Sequence, residues 1–464
     1  MTFRTVTSRS LTAVGLLALS LAALATLCVA QRIPMADALI YRAEGAAVVD
    51  GTDLYGPTPY ESNHYGPGHY GLAGANGVTG AATGWQLSAG YPPFAALLFV
   101  PTTWLPVGAL KVVLVIGNAA LLALFVRLSW RFAGLPAVNA AVPITLAVAV
   151  ALWLEPVLQT VLFGQISLAV GCLVLWDLSR PEQALGKGFA LGVAAGITLT
   201  PAVFLVYLLV TGRVRAGLTA LAGLIGTVLL GLLVLPHASG EFWTHHVVEF
   251  GRYGGPAGQV WTAGNQSLYG LLARALHTPE PGVWWALAAA LTAAAGLWTA
   301  RRAAVRAGAE TWGVLAAALT ALLVAPVGWS HHWVWCVPLL AVLLAERRFG
   351  TAAVAGVVWT AGGHLGVVPH QAGAELRLPW WQQPAASPYA LAALGLLVYV
   401  AWRAHDFRRA RARLRARPYV PPPRTHMPTP RRHGAKSTVG GPFDRRGSAL
   451  GQQDVGVVEH AQYD

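Results

Sequence analysis

Residues 11–30 read LTAVGLLALSLAALATLCVA. Twenty apolar or small residues in a row are the length an α-helix needs to cross a hydrocarbon core, about 20 residues. Arg4 and Arg9 precede the run, as they would in a secretory leader. A leader's apolar region is only roughly 7–15 residues long and ends at a small-x-small cleavage site, which is not evident here. The expectation is therefore a retained first span.

Similar runs recur as far as Trp402 in a chain of 464 residues that is 55% hydrophobic and 11% charged. A soluble domain carries about 25% charged residues, so most of these side chains are not built to meet water. A membrane β-barrel would alternate in polarity, which the runs do not. The fold class expected is all-α: a polytopic membrane protein of about twelve transmembrane helices. The three cysteines, Cys28, Cys172 and Cys336, each sit in an apolar run and read as packing residues.

Lys/Arg clusters recur at Arg4/Arg9, Arg127/Arg131, Arg180/Lys187, Arg213/Arg215, Arg301/Arg302/Arg306, Arg347/Arg348 and from Arg403 onward. Cytoplasmic loops retain such charges. Placing all of them inside puts both termini in the cytoplasm and the long loops 31–93, 236–282 and 364–387 outside. Residues 94–105 are too short to span and read as a juxtamembrane or re-entrant helix. Parity demands two short helices within 188–211, broken at Thr198-Leu199-Thr200-Pro201. Residues 1–402 read as one membrane domain and 403–464 as a basic, disordered cytoplasmic tail. The net charge of +13 is concentrated in that tail. Beside so many spans it points to cytoplasmic retention and contact with anionic membrane lipids rather than to nucleic acid.

The polar and aromatic residues gather on the outer side. A transporter would place them near the midplane of broken helices, and Asp177 is the one obvious acid within a span. Asp37 lies about one turn beyond the first span. It reads either as a partly desolvated general base or as a solvated loop acid or helix cap. His331 and His332 follow Ser330 at the outer end of a span, where imidazoles can grip a phosphate or be satisfied by backbone and water. Adjacent histidines do not share a helix face, so zinc is not indicated. His245-His246 reads the same way with less force. Asn265-Gln266-Ser267 reads as a helix start facing an outer cavity or as a plain N-cap. Gly164-Gln165 places an uncharged donor and acceptor at a turn after Glu155-Pro156. Asp50, Asp53 and Glu61 lack calcium-loop spacing and read as solvated acids. His364 and His370 lie in the third loop.

Taken in order, Asp37 with Tyr41, Gly51-Thr52-Asp53-Leu54-Tyr55, Tyr91-Pro92-Pro93-Phe94, Gly164-Gln165, Thr200-Pro201, Asn265-Gln266-Ser267 and Ser330-His331-His332 make the chain resemble glycosyltransferase family 87. These are the polyprenyl-phosphate-mannose-dependent mannosyltransferases of actinobacteria. The resemblance implies a lipid-linked-sugar glycosyltransferase (GT-C-like) fold in the plasma membrane and an extracytoplasmic active site. It implies a polyprenyl-phosphate-mannose donor, a lipid-anchored mannoside or glycan acceptor, and inverting, metal-independent transfer with no cofactor. Asp37 would be the catalytic aspartate. His331, His332 and Arg42 would hold the donor phosphate, and Tyr41, Gln165, Asn265 and Gln266 would contact sugar. Relatives often carry a lysine where this chain has Thr198. The alternatives are the same chemistry with another polyprenyl-phosphate sugar, or a lipid or polysaccharide transporter.

Overall fold

The structure, a computed structural model, describes residues 2–30, 35–55, 90–247, 260–360, 368–369 and 373–415, without the side chains of 2–9 and 406–415. Glu61, His364, His370 and the chain from 416 onward lie outside the described residues.

The first half runs α1 Thr2–Ala30, α2 Ala36–Asp50, α3 Pro93–Phe99 with a 3-10 turn Val100–Trp104, α4 Val107–Phe132, α5 Ala141–Ala151, α6 Glu155–Phe163, α7 Ser167–Leu178, α8 Phe189–Ile197 and α9 Ala202–Val210. Then come α10 Val214–Val234, α11 Pro236–Glu241 with a π turn Phe242–His246, α12 Leu268–Ala275, and α13 Gly282–Arg301 with a π turn Arg302–Ala307. The chain continues with α14 Glu310–Val324, a 3-10 turn Ser330–Trp335, α15 Cys336–Ala345, α16 Phe349–Thr360, α17 Gln383–Ala386 and α18 Pro388–Arg415. Among the described residues there is no named strand, only an isolated antiparallel bridge between Asn265 and Trp329.

Four described segments are long and apolar enough to cross a membrane: Ser10–Ala30, Val107–Phe132, Val214–Val234 and Gly282–Ala307. The pair α5 and α6, bent by 72°, makes a fifth if taken as one span. These segments carry large apolar side chains outward, such as Leu11, Ile116, Leu233 and Leu291. Such apolar surface calls for lipid rather than water. The chain is a membrane protein. By contrast, α14 is buried from Trp312 to Leu323, as a helix apolar on all sides must be.

Backbones approach closely where small residues line a face. In α8 a Cβ on Gly192 would stand 2.1 Å from the Ala220 carbonyl oxygen of α10, and one on Gly196 2.0 Å from the Thr227 hydroxyl. Only glycine admits this contact, which is how helices associate in lipid without a hydrophobic driving force.

The helix break expected at 198–201 is present, with α8 ending at Ile197 and α9 starting at Ala202. Residues 94–105 are indeed short helix, as α3 and its 3-10 turn. The turn expected around 155–165 is instead a helix, α6, with Pro156 in its first turn and Gly164 (φ 72°) as its cap. Proline opens a helix readily and left-handed glycine closes one. The last helix does not stop at Trp402 but runs to Arg415, an arginine- and alanine-rich stretch with high helix propensity. Asp177 accepts the amides of Gly188 and Leu191 at 2.8 and 3.0 Å and lies 3.8 Å from Arg180. It fastens the start of α8, a structural use that accounts for the acid on which the transporter reading leaned.

Candidate active site

On α2, Asp37, Tyr41 and Glu44 recur at i, i+4 and i+7 and so share one face. Asp37 is in the first turn and does not cap it. The α6 C-terminus meets this face: a Cβ on Gly164 would stand 3.0 Å from that of Ala38. The next residue, Gln165, is thereby set beside Asp37. Its Oε1 accepts from the Tyr41 hydroxyl at 2.8 Å and the Tyr91 hydroxyl at 3.2 Å. With the oxygen so occupied, the amide nitrogen is the side that serves Asp37.

Tyr41 is buried and stacks on Phe99, ring centroids 4.3 Å apart. Gly45 lets α2 sit on α3, since a Cβ there would be 2.6 Å from the Phe99 carbonyl oxygen. Desolvation raises the Asp37 carboxyl to about 6, partly offset by the hydrogen bond from Gln165. The side chain keeps partial exposure. It is a partly buried acid, ionised at neutral pH and more basic than an ordinary carboxylate.

The other end of the site hangs from the same helix. Thr160 of α6 donates to the His331 carbonyl at 3.2 Å, and the Phe163 ring lies edge-on to His331 at 5.9 Å. His331 and His332 are perpendicular neighbours, centroids 4.5 Å apart. Burial lowers both, His332 to about 4 and His331 further through its neighbour. Both are neutral imidazoles at pH 7, and the buried Nε2 of His331 has no hydrogen-bond partner. Thus α6, nine residues long, carries the aspartate's partner at its C-terminus and props the histidine pair from its side. Behind the pair, Tyr389 donates to Glu155 at 2.7 Å. The sequence reading missed Glu44 and Phe163, and gave Tyr91 and Glu155 only architectural parts in a motif and a turn. Glu44 alone was findable, from its i+7 spacing to Asp37.

Asn265 and Gln266, from which sugar contact is expected, are bonded to backbone. Both are 0% exposed. The Asn265 amide donates to Val260 and Pro326 carbonyls and accepts from Ser267 and Gly328 amides. Gln266 donates to Ala263 and Ala386 and accepts from the Tyr389 amide. Together with Gln266 N to Gly328 O (2.9 Å) and Ser330 N to Gly264 O (3.0 Å), they clamp the turn that carries the histidines. Arg274, 0% exposed, ties down the same loop through the Trp261, Thr262 and Asn265 carbonyls.

Arg42 is likewise held by backbone. Its Nη1 donates to the carbonyls of Thr102 and Leu105 at 2.6 and 2.5 Å. It also sits about 140° around α2 from Asp37, at 100° per residue. These bonds fasten α2 to the turn after α3. Thr198, extended at φ −148°, caps α8 at the break.

A partly buried acid and a neutral histidine pair, joined through one helix of an apolar scaffold, are an arrangement suited to group transfer at a lipid surface. Comparison with known proteins agrees. Residues 90–326 match the profile of glycosyltransferase family 87, and a relative 33% identical covers 66% of this chain and 75% of its own length. The chain belongs to glycosyltransferase family 87. That relative is a polyprenol-phosphate-mannose-dependent alpha-(1-2)-phosphatidylinositol mannoside mannosyltransferase of Mycobacterium tuberculosis. A pentamannoside mannosyltransferase from another strain of that species is 32% identical over 67% of this chain and 72% of its own. One from Mycolicibacterium smegmatis is 33% identical over 67% and 76%. No solved structure matches. This family 87 chain is an enzyme, a glycosyltransferase. The matched profile contains Gln165, Asn265 and Gln266, whereas Asp37, His331 and His332 fall outside it.

Proposed function

We propose that this protein transfers mannose from polyprenyl-phosphate-mannose to a lipid-anchored mannoside, of the phosphatidylinositol mannoside class, on the outer face of the plasma membrane. The single observation that carries the mechanism is the half-buried Asp37 held by Gln165 on an apolar scaffold. Asp37 takes the proton from the acceptor hydroxyl as that oxygen attacks the anomeric carbon. The carbon–phosphate-oxygen bond breaks and the polyprenyl phosphate leaves with the electron pair. Displacement inverts the carbon and makes an α-linkage from a β-linked donor. A phosphate leaving group needs little protonation, so one carboxylate suffices, unlike the pair in glycoside hydrolases. His331 and His332 stabilise the departing phosphate by hydrogen bonds. Tyr41 and Gln165 orient the base and border the sugar. Each buried CH₂ of the prenyl chain adds about 0.8 kcal/mol.

The reading includes the topology: about twelve membrane-inserted helices in a GT-C-like arrangement, among them the two short helices α8 and α9 and the last helix α18, with both termini and the tail from 403 cytoplasmic. The curated relatives, named for this donor and acceptor class, support it. Membranes from cells lacking the protein, fed labelled polyprenyl-phosphate-mannose, should miss one mannolipid that returns with the gene. An unchanged mannolipid profile would refute the donor assignment, and label appearing only from another polyprenyl-phosphate sugar would redirect it.

A further inference from the structure

The α2 face that carries Asp37 continues to a second set of polar groups that the chemistry above does not use. Glu44 is 3% exposed, and neither carboxylate oxygen has a hydrogen-bond partner of good geometry, although the Gly90 amide approaches it. Glu241 Oε2 and His246 Nδ1 are also buried without partners. These groups surround Tyr55. Its ring lies 4.5 Å from His246 and 5.6 Å from Phe242, both electrostatically coupled acids are Glu44 and Glu241, and its hydroxyl donates to the Tyr91 carbonyl at 2.8 Å. Tyr91 in turn reaches Gln165. One wall of side chains therefore runs from Asp37 through Gln165, Tyr91 and Tyr55 to His246.

Buried polar atoms without partners each cost stability, and native proteins keep few of them. Here four such atoms converge, and the segment bearing two of their residues leads into a π turn, Phe242–His246, a feature frequent at functional sites. Phosphate is disfavoured: the described neighbours include two acids, and among the described residues no arginine or lysine acts on Glu44 or Tyr55. An uncharged ligand with several hydroxyls does fit, because it offers donors to the carboxyl oxygens and to the imidazole nitrogen and a ring face to the tyrosine. Glu44 lies seven residues from Asp37, about 10 Å along the helix. That is the scale of a sugar ring or two.

We propose that Glu44, Tyr55, Glu241 and His246 form an acceptor subsite that binds the hexose next to the one being glycosylated. This rests on the mannosyltransferase reading. The subsite makes the enzyme prefer an acceptor of two or more sugars.

The test compares octyl α-mannoside with octyl α-dimannoside as acceptors for the full-length enzyme in detergent or nanodiscs, with polyprenyl-phosphate-mannose as donor. The wild type should favour the dimannoside in kcat/KM. Glu44→Leu should reduce that preference about tenfold, with thermal stability equal or higher, because an unpaired buried acid is replaced by an apolar side chain. Glu44→Gln should retain part of the preference. His246→Leu provides an independent variant and should lower the preference in the same direction. A wild type with no preference, or a preference unchanged in Glu44→Leu and His246→Leu, overturns the subsite while leaving the transfer reaction standing. Transfer to neither acceptor by the wild type overturns the mannosyltransferase reading and the subsite with it.

Discussion

Asp37→Asn should lower transfer by about 10²–10⁴-fold, the range a positioned general base supplies, while the protein still inserts and folds. Asparagine has nearly the same shape and still offers an oxygen to the Gln165 amide. The substitution also removes a charge that is costly to keep half-buried, since desolvation is the leading cause of its raised pKa. What it removes is the ability to accept the acceptor's proton. The expected pattern is a fall in kcat with KM for the donor nearly unchanged, read in a mannolipid assay on purified enzyme. Activity close to wild type would assign the base elsewhere.

Asn265→Ala should act in the opposite manner, through stability. The wild-type amide makes four backbone hydrogen bonds, at 2.8, 3.0, 3.1 and 2.9 Å. Each buried group left without a partner costs about 1–3 kcal/mol, so a loss on the order of 3–5 kcal/mol follows, among the largest single-substitution effects. Because Asn265 accepts from the Gly328 amide two residues before Ser330, the histidine turn should loosen with it. Donor affinity and thermal stability should therefore fall together. A residue that touches sugar would instead raise KM with stability intact, and that outcome would restore the sugar-binding expectation.

The difference between these two residues shows what the sequence could convey. Asp37 is an acid just beyond an apolar run, and its isolation there marked it. The helix break at 198–201 was legible because Thr-Pro cannot continue a helix unperturbed. Asn265, Gln266 and Arg42 were marked by the same kind of signal, polarity near a membrane boundary. Their partners, at Pro326 and Gly328, at Ala386 and Tyr389, and at Thr102 and Leu105, lie roughly 60 to 120 residues away in sequence. Polarity says that a residue needs a partner, but not whether that partner is a sugar or a backbone carbonyl. The role of α6 was hidden for a related reason. Glu155-Pro156 and Gly164 were visible as punctuation, and read as a turn they concealed the helix that joins Asp37 and the histidines. Glu44, in plain view at i+7 from Asp37, was passed over because a helix of mixed polarity shows its shared face only once its register is known.

The pH dependence of single-turnover transfer tests the central claim most directly. Asp37 must be ionised to accept a proton, so the rate should rise with pH through about 6, well above the range of an ordinary aspartate. The hydrogen bond from Gln165 lowers the Asp37 pKa, so Gln165→Leu should move that acidic limb to higher pH. Loss of the limb in Asp37→Asn and its upward shift in Gln165→Leu are the results expected. A limb that stays in place in both variants would contradict the assignment of Asp37 as the base.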